Sequence, residues 1–314
     1  MNIDLKDLIQ FIKNKNLLLK YKIDRYIKKK EKENKIYRSI KSNKQIKTIY
    51  NYRHEKPKYY FSLLLLLNDF YKIKDFTGME NLYKIIDTSK SDKEIYFSLN
   101  KNIKGGNRRV HMIEELLSHK IKKYILKTGY KIDYFLDIGC GSGKKAYLLG
   151  QYLNLKDKYV HCADIKQWFS LEKNREKNIK NFGLIENDIL PYKDNKFSLI
   201  SSFMVLHHVK NLSKLLKEIH RVLKRGGYLF ITEHDAMTDF DKMLIDIQHA
   251  IYELVYRNNK SFFNEYYGKY YDVFQWHYIL HLHNFKLIKY NYYTTKTRKE
   301  IGSTRYFYAI YKKI

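Results

Sequence analysis

The stretch Tyr134-Phe135-Leu136-Asp137-Ile138-Gly139-Cys140-Gly141-Ser142-Gly143 decides the fold. An apolar run ends in an acid and a glycine-rich turn, and Ala146, Leu148 and Leu149 open the segment behind it. That order reads as strand, tight loop, helix, the first unit of an open α/β sheet. Ligands of such sheets lie beyond the carboxyl ends of the strands. Glycines there let the backbone approach a ligand closely, because no Cβ stands in the way. The dinucleotide fingerprint G-x-G-x-x-G is met at Gly139 and Gly141 but fails at Lys144. The glycines fall instead as G-x-G-x-G behind Asp137.

Downstream, the pattern alternates. Lys144–Leu153 is expected to be a helix, and Tyr159–Ala163 a strand that ends in Asp164. A carboxylate at that place accepts hydrogen bonds from both hydroxyls of a ribose. Ile165–Lys180 follows as a charged helix and Phe182–Glu186 as a short strand. Asp188 then stands where a carboxylate accepts from an adenine amine, with Ile189 and Leu190 beside it. After a turn at Pro191–Lys196 come a fourth strand at Phe197–Phe203 and an amphipathic helix at Leu212–Leu223. Arg225-Gly226-Gly227 caps that helix, and Tyr228–Thr232 is the fifth strand. This succession is the α/β signature. A helix at Val273–Leu282 and alternating strands at Phe285–Tyr292 and Ser303–Tyr311 close the chain.

Asp137–Gly143, Asp164, Asp188, the run FSLISSFMVLHHV from Phe197 and the run EIHRVLKRGGYLFITEH from Glu218 stand in one order. In that order they resemble the type 11 group of class I S-adenosylmethionine (SAM) methyltransferases. The resemblance covers about residues 110 to 235 by motif and the remainder by topology. It implies an α/β, Rossmann-like, seven-stranded, mostly parallel sheet with an antiparallel last strand, its sixth and seventh strands forming an antiparallel pair. It implies SAM as cofactor, held by Asp137, Gly139, Cys140, Gly141, Gly143, Asp164, Ile165, Asp188, Ile189 and Phe203. Arg225 stands where the family usually has proline, a change harmless to the turn. The first hundred residues match no known pattern. The expected division is a basic, mostly helical N-terminal region over 1–104 and the methyltransferase domain over 105–314.

The chain has 314 residues and carries 61 Lys+Arg against 33 Asp+Glu, a formal charge of +28. That excess suits a polyanionic partner. It also suits an A/T-rich genome, because lysine outnumbers arginine, Tyr, Ile and Asn abound, and only 2 prolines occur. Two cysteines, Cys140 and Cys162, exclude a disulfide framework. Met1–Lys20 is interrupted by charges and is no signal peptide, and Phe61–Leu67 is too short to span a bilayer. A cytoplasmic protein without membrane contact is expected. Leu5, Leu8, Ile9 and Ile12 recur at helical spacing, and Ile23–Tyr50 is dense in lysine. The N-terminal region is expected to be helical with a modest core of its own, and a place for a protein partner. Beyond the breaker Gly105-Gly106, Arg108 and Arg109 precede an amphipathic segment at Ile113–Leu126. In the family a helix in this place covers the cofactor.

Methyl transfer from a sulfonium needs chiefly positioning, and a base only where the acceptor must lose a proton. The candidates stand where strands four and five end: Glu233, His234 and His207, with His208 and Asp235 as neighbours. His277 and His281 lie at i, i+4, and Asp246, His249 and Glu253 share a helix face. Both sets read as solvated or core-edge groups, and no metal ligand is assigned. A DNA amino-methylating motif and the strand-four acid of ribose methyltransferases are both absent from Ser201–Leu206. The expected acceptor is RNA, cap-related acceptors included, met by Arg108 and Arg109 and by tyrosines such as Tyr266 and Tyr267 in a lid over Ser261–Tyr271. Two alternatives stay open: a small-molecule acceptor, and a non-catalytic SAM-binding subunit supporting a partner.

Overall fold

The computed structural model describes residues 3–15, 117–166, 181–237, 241, 242, 245, 249, 266–292 and 305–314. Strands β1 (Phe135–Ile138), β2 (Val160–Asp164), β3 (Phe182–Leu184), β4 (Phe197–Phe203), β5 (Leu223–His234), β6 (Phe285–Tyr292) and β7 (Tyr306–Lys313) form one sheet in the order β3-β2-β1-β4-β5-β7-β6. Strands β1 to β5 pair in parallel. Strand β7 runs antiparallel to both β5 and β6. The last two strands therefore pair antiparallel, but only β7 runs against the rest, and β6 is parallel to β5.

Strands β1, β2, β4 and most of β5 and β7 are buried along their length because both sheet faces are covered, whereas edge strand β6 is largely exposed. Along β5, Tyr228 and Phe230 pack on one face, Leu229 and Ile231 on the other. In β7 the same alternation runs through Phe307, Ala309 and Tyr311 against Tyr306, Tyr308 and Ile310. One face is covered by Leu117, Ile121 and Ile125 of the helical segment α2 (residues 117–124) and its end, and by Ala146 and Leu149 of α3 (Lys144–Tyr152). The other is covered by Leu215, Leu216, Ile219 and Val222 of α4 (Leu212–Val222) and by Val273, Trp276 and Leu280 of α5 (Val273–Leu282). Helix α5 starts in a capping box: Asp272 accepts from the Phe274 and Gln275 N–H groups, and Gln275 accepts from the Asp272 N–H.

Three local expectations are revised. Strand β5 begins at Leu223, directly where α4 ends; Leu223 pairs with Phe197 and Tyr228 with Leu199, so Arg225-Gly226-Gly227 bulges inside the strand. Gly226 takes a left-handed φ of 72° there, which glycine adopts without strain. Strand β3 is shorter than its apolar run, since Glu186 turns back to pair with Ile189. At the N-terminus, α1 (Leu5–Asn14) begins on Asp4, which accepts from the Lys6 N–H at 2.7 Å. Its Leu8, Phe11 and Ile12 join the core beside α5, with Phe11 5.3 Å from Tyr278, rather than a core of their own. Residues 16–116, including the 104/105 boundary, the lysine-dense segment, Arg108 and Arg109, lie outside the described residues.

Candidate functional site

The glycine loop leaves β1 and enters α3 through three left-handed glycines, Gly139 (φ 68°), Gly141 (φ 56°) and Gly143 (φ 75°). Each has its own reason. A Cβ on Gly139 would stand 2.3 Å from Val205 Cγ2, so the β1 and β4 ends meet only because that position is bare. A Cβ on Gly141 would meet nothing within 4 Å among the described residues, which leaves space above the loop for a ligand. Gly143 caps α3. The Gly139 N–H donates to the Ala163 carbonyl at 2.7 Å, tying the loop to β2.

Asp164 ends β2 and is nearly buried. Its Oδ2 accepts from the Gly141 N–H at 2.8 Å and its Oδ1 from the Ile165 N–H at 2.7 Å. Each oxygen keeps lone-pair capacity for a further donor. Asp164 and the glycine loop are thus one unit. Beside them the Ile165 side chain is 69% exposed and Ile189 48% exposed. Large apolar side chains at the carboxyl ends of β2 and the β3 turn mark a surface fit for a flat apolar ring. Asn187 (φ 50°) and Asp188 (φ 59°) are both left-handed and aim that turn, with Asp188 half-buried.

Asp137 is 2% exposed, and its Oδ1 accepts from Ser201 Oγ at 2.5 Å across the β1–β4 register. Burial pushes its carboxyl up to about 6. Cys140 is buried; its contact with Cys162, with burial second, holds its thiol far above the usual range and keeps it protonated. Phe203 lies edge-on to Phe230 at 5.5 Å in the core, so its ring serves packing.

Beyond β4 and β5 the structure assembles histidines. His207 and His208 lie in a 3-10 turn (Leu206–His208), and His234 is the last residue of β5. Glu233 is fully buried; its Oε1 accepts from the Leu206 N–H at 2.8 Å and its Oε2 lies 2.6 Å from His207 Nδ1. Burial pushes the Glu233 carboxyl up to about 8 and His207 down to about 3, so the pair holds its uncharged form. His207 Nε2 faces His249 Nε2 at 3.2 Å, and His249 Nδ1 donates to the Ile245 carbonyl at 2.8 Å. His234 is 2% exposed, and among the described residues neither of its ring nitrogens has a hydrogen-bond partner. Burial, then the neighbouring histidines, hold His234 and His249 well below the ordinary range.

The segment 266–271 crosses this end of the sheet. The Lys269 N–H donates to the His207 carbonyl at 2.8 Å, and His208 Nδ1 donates to the Tyr267 carbonyl at 3.0 Å. Tyr270 and Tyr271 are both 6% exposed. Tyr270 packs 5.6 Å from His207 and shares a hydroxyl hydrogen bond with Tyr266, while Tyr271 sits against Trp276. Both rings are taken up by packing, so these two tyrosines of the expected lid are not available to stack bases. Tyr266 and Tyr267 are half-buried, and residues 261–265 and Tyr293 lie outside the described residues.

Of the expected catalytic group, Glu233, His234 and His207 do converge. Asp235 is structural, accepting from the Val273 N–H at 3.0 Å at the start of α5. The i, i+4 pair also separates: His277 Nδ1 meets the Tyr311 hydroxyl at 2.5 Å, and His281 lies against Phe11. Sequence reading passed over Ser201 and Val205, and it saw His249 only as one member of a helix face. Nothing local marks the last: it reaches His207 from 42 residues away.

Residues 136–231 match the family model described as "Methyltransferase domain". A demethylmenaquinone methyltransferase of Staphylococcus saprophyticus is 24% identical over 196 residues, covering 60% of this chain and 80% of that protein. A ubiquinone/menaquinone biosynthesis C-methyltransferase of Francisella philomiragia is 32% identical over 156 residues, covering 45% of this chain and 59% of that protein. A solved SAM-dependent methyltransferase of Thermotoga maritima, described as a possible histamine N-methyltransferase, aligns over 65% of this chain and 92% of its own, at 18% identity and a TM-score of 0.41.

Proposed function

From a chain that carries a class I SAM-dependent methyltransferase domain, we propose that the methyl acceptor is a small molecule with an aromatic ring, the quinol class first among candidates. The observation that carries this reading is the cluster of rings beyond β4 and β5. Tyr266, Tyr270, His207, His208 and His234 pack against one another there, with Tyr270, His207 and His234 buried. Apolar and aromatic surroundings of this kind suit a ring-sized acceptor, whereas a polyanion calls for exposed cations and free aromatic faces. The two relatives named above act, by their names, on quinones.

SAM supplies an activated methyl on a sulfonium. The chain's own residues hold and orient. Asp164, braced by two backbone N–H groups, would accept from the ribose; Ile165 and Ile189 would flank the adenine, and Asp188 would accept from its amine. The bare Gly141 would let the methionine portion approach the loop, with Asp137 as the acid nearest to hold its ammonium. Glu233 sets the His207 ring, and the 266–271 strap keeps water away from the transfer. Arg108 and Arg109, proposed earlier as RNA contacts, lie outside the described residues.

The test is label transfer from methyl-labelled SAM onto hydroquinones with short isoprenoid tails, other phenols, capped and uncapped RNA, and protein. Label on a hydroquinone or phenol is the expected result. Label on RNA alone, with affinity that falls steeply with salt, overturns the small-molecule reading in favour of a polyanionic acceptor.

A further inference from the structure

We propose that His207, His234 and His249 form a binding site for one divalent transition-metal ion, of the kind typified by zinc. The inference stands on the histidines and not on the identity of the acceptor.

The three ligand nitrogens all lie within 4.8 Å of one another. Two nitrogens each about 2.05 Å from a tetrahedral ion are about 3.3 Å apart. His207 Nε2 and His249 Nε2 stand at 3.2 Å. The third ring has to close in by no more than about 1.5 Å to complete the set.

The hydrogen bonds behind the rings favour a cation over a proton. His249 Nδ1 faces the Ile245 carbonyl, which only accepts, so Nδ1 carries the hydrogen and Nε2 presents its lone pair to His207. His207 has a carboxylate partner at Nδ1, and Glu233 is itself held by the Val205 and Leu206 N–H groups. Carboxylate behind one ligand histidine and a backbone carbonyl behind another are the usual outer partners of metal-bound imidazoles. A proton between the two Nε2 atoms would satisfy His207 and His249. It would leave both nitrogens of buried His234 without a partner among the described residues, a costly state for a buried polar group. A cation taken by all three rings satisfies one nitrogen of each. On binding, His207 offers Nε2, donates Nδ1–H to ionised Glu233, and one proton leaves to solvent. Three neutral imidazoles suit zinc and its neighbours rather than magnesium or calcium, and leave a fourth position open.

The experiment uses the full chain, stripped with chelator and titrated with Zn²⁺ and Co²⁺, with Mg²⁺ as control. SAM binding is measured in parallel on each sample. One equivalent of Zn²⁺ is expected to bind, with Mg²⁺ silent. Co²⁺ is expected to show the visible absorption of a tetrahedral nitrogen site, without the near-ultraviolet thiolate band that Cys140 or Cys162 would produce. His249→Ala should weaken Zn²⁺ at least a hundredfold, and Glu233→Gln about 10- to 100-fold as an outer partner, in samples that still bind SAM. If His249→Ala does not fold, the wild-type cobalt spectrum decides by itself. Absence of stoichiometric Zn²⁺ in protein that binds SAM overturns the proposal, as does a thiolate-type spectrum, or Zn²⁺ affinity unchanged in His249→Ala.

Discussion

Gly139 and Gly141 offer a matched pair of perturbations two residues apart. Both are left-handed, so alanine at either carries about 1–2 kcal/mol of backbone strain, offset by about 0.4–1 kcal/mol of lost unfolded-state entropy. Their surroundings differ. At Gly139 the new methyl stands 2.3 Å from Val205 Cγ2 and 2.6 Å from Cγ1, an overlap that forces the β4 end outward. Overpacking of that kind adds about 1–3 kcal/mol. Gly139→Ala is therefore expected to lose about 2–4 kcal/mol, and Gly141→Ala about 1 kcal/mol. In a domain of this size each kcal/mol moves the melting point by about 2–4 °C. Binding reverses the ranking of severity: Gly141→Ala leaves a nearly normal protein whose methyl occupies the space above the loop, so SAM affinity should fall about ten- to a hundredfold. The assay is a thermal melt with and without SAM. Ligand at a hundred times Kd stabilises wild type by about 2.7 kcal/mol, and the same concentration should stabilise Gly141→Ala by only about 0.4–1.4 kcal/mol. The double variant Gly139→Ala with Val205→Ala should recover at least about 1 kcal/mol, read as a coupling energy. A wild-type SAM shift in Gly141→Ala would refute the claim that the open space belongs to the cofactor. Equal destabilisation of the two single variants would refute the role given to Val205.

Asp164→Ala removes two charge-assisted bonds from the loop and its ribose contacts, each worth about 1.5–3 kcal/mol; calorimetry should show SAM affinity down a hundredfold or more. Asp137, raised from 3.8 to about 6 by burial, is an acid whose folded form holds its proton more tightly. It therefore favours the fold below about pH 4, and that contribution is lost as pH rises from 4 to 6, about 3 kcal/mol in all. Denaturant midpoints of wild type and Asp137→Asn should diverge across that window, with the variant the flatter; parallel curves would remove the assignment. Arg221 reaches Glu218, Asp194 and the carbonyls of Leu190 and Tyr192, so Arg221→Ala should cost about 1–3 kcal/mol in urea unfolding and disturb the turn that carries Asp188.

Most of the sheet was legible in the chain because its signals are local. The run from Tyr134 to Gly143, the acids closing the next two strands and the stripe of α4 each state their element within a dozen residues. The two-faced burial of a parallel sheet turns each strand into an apolar run, which is visible in one dimension. The proposed cofactor residues are local in the same way: Gly139 and Gly141 lie in the turn after β1, Asp164 closes β2 with Ile165 behind it, and Asp188 and Ile189 lie in the turn after β3. What only the tertiary structure decided depends on chain segments far apart in sequence. Val205 explains Gly139, and Ser201 holds Asp137 from 64 residues away. Packing alone divides the tyrosines, giving Tyr270 to the histidine cluster and Tyr271 to the core against Trp276. The histidines show it most sharply. His207 and His234 read as strand-end residues and His249 as part of a polar helix face. Their meeting depends on where β4, β5 and the following segment come to rest, and no spacing in the chain encodes a distance across those ends.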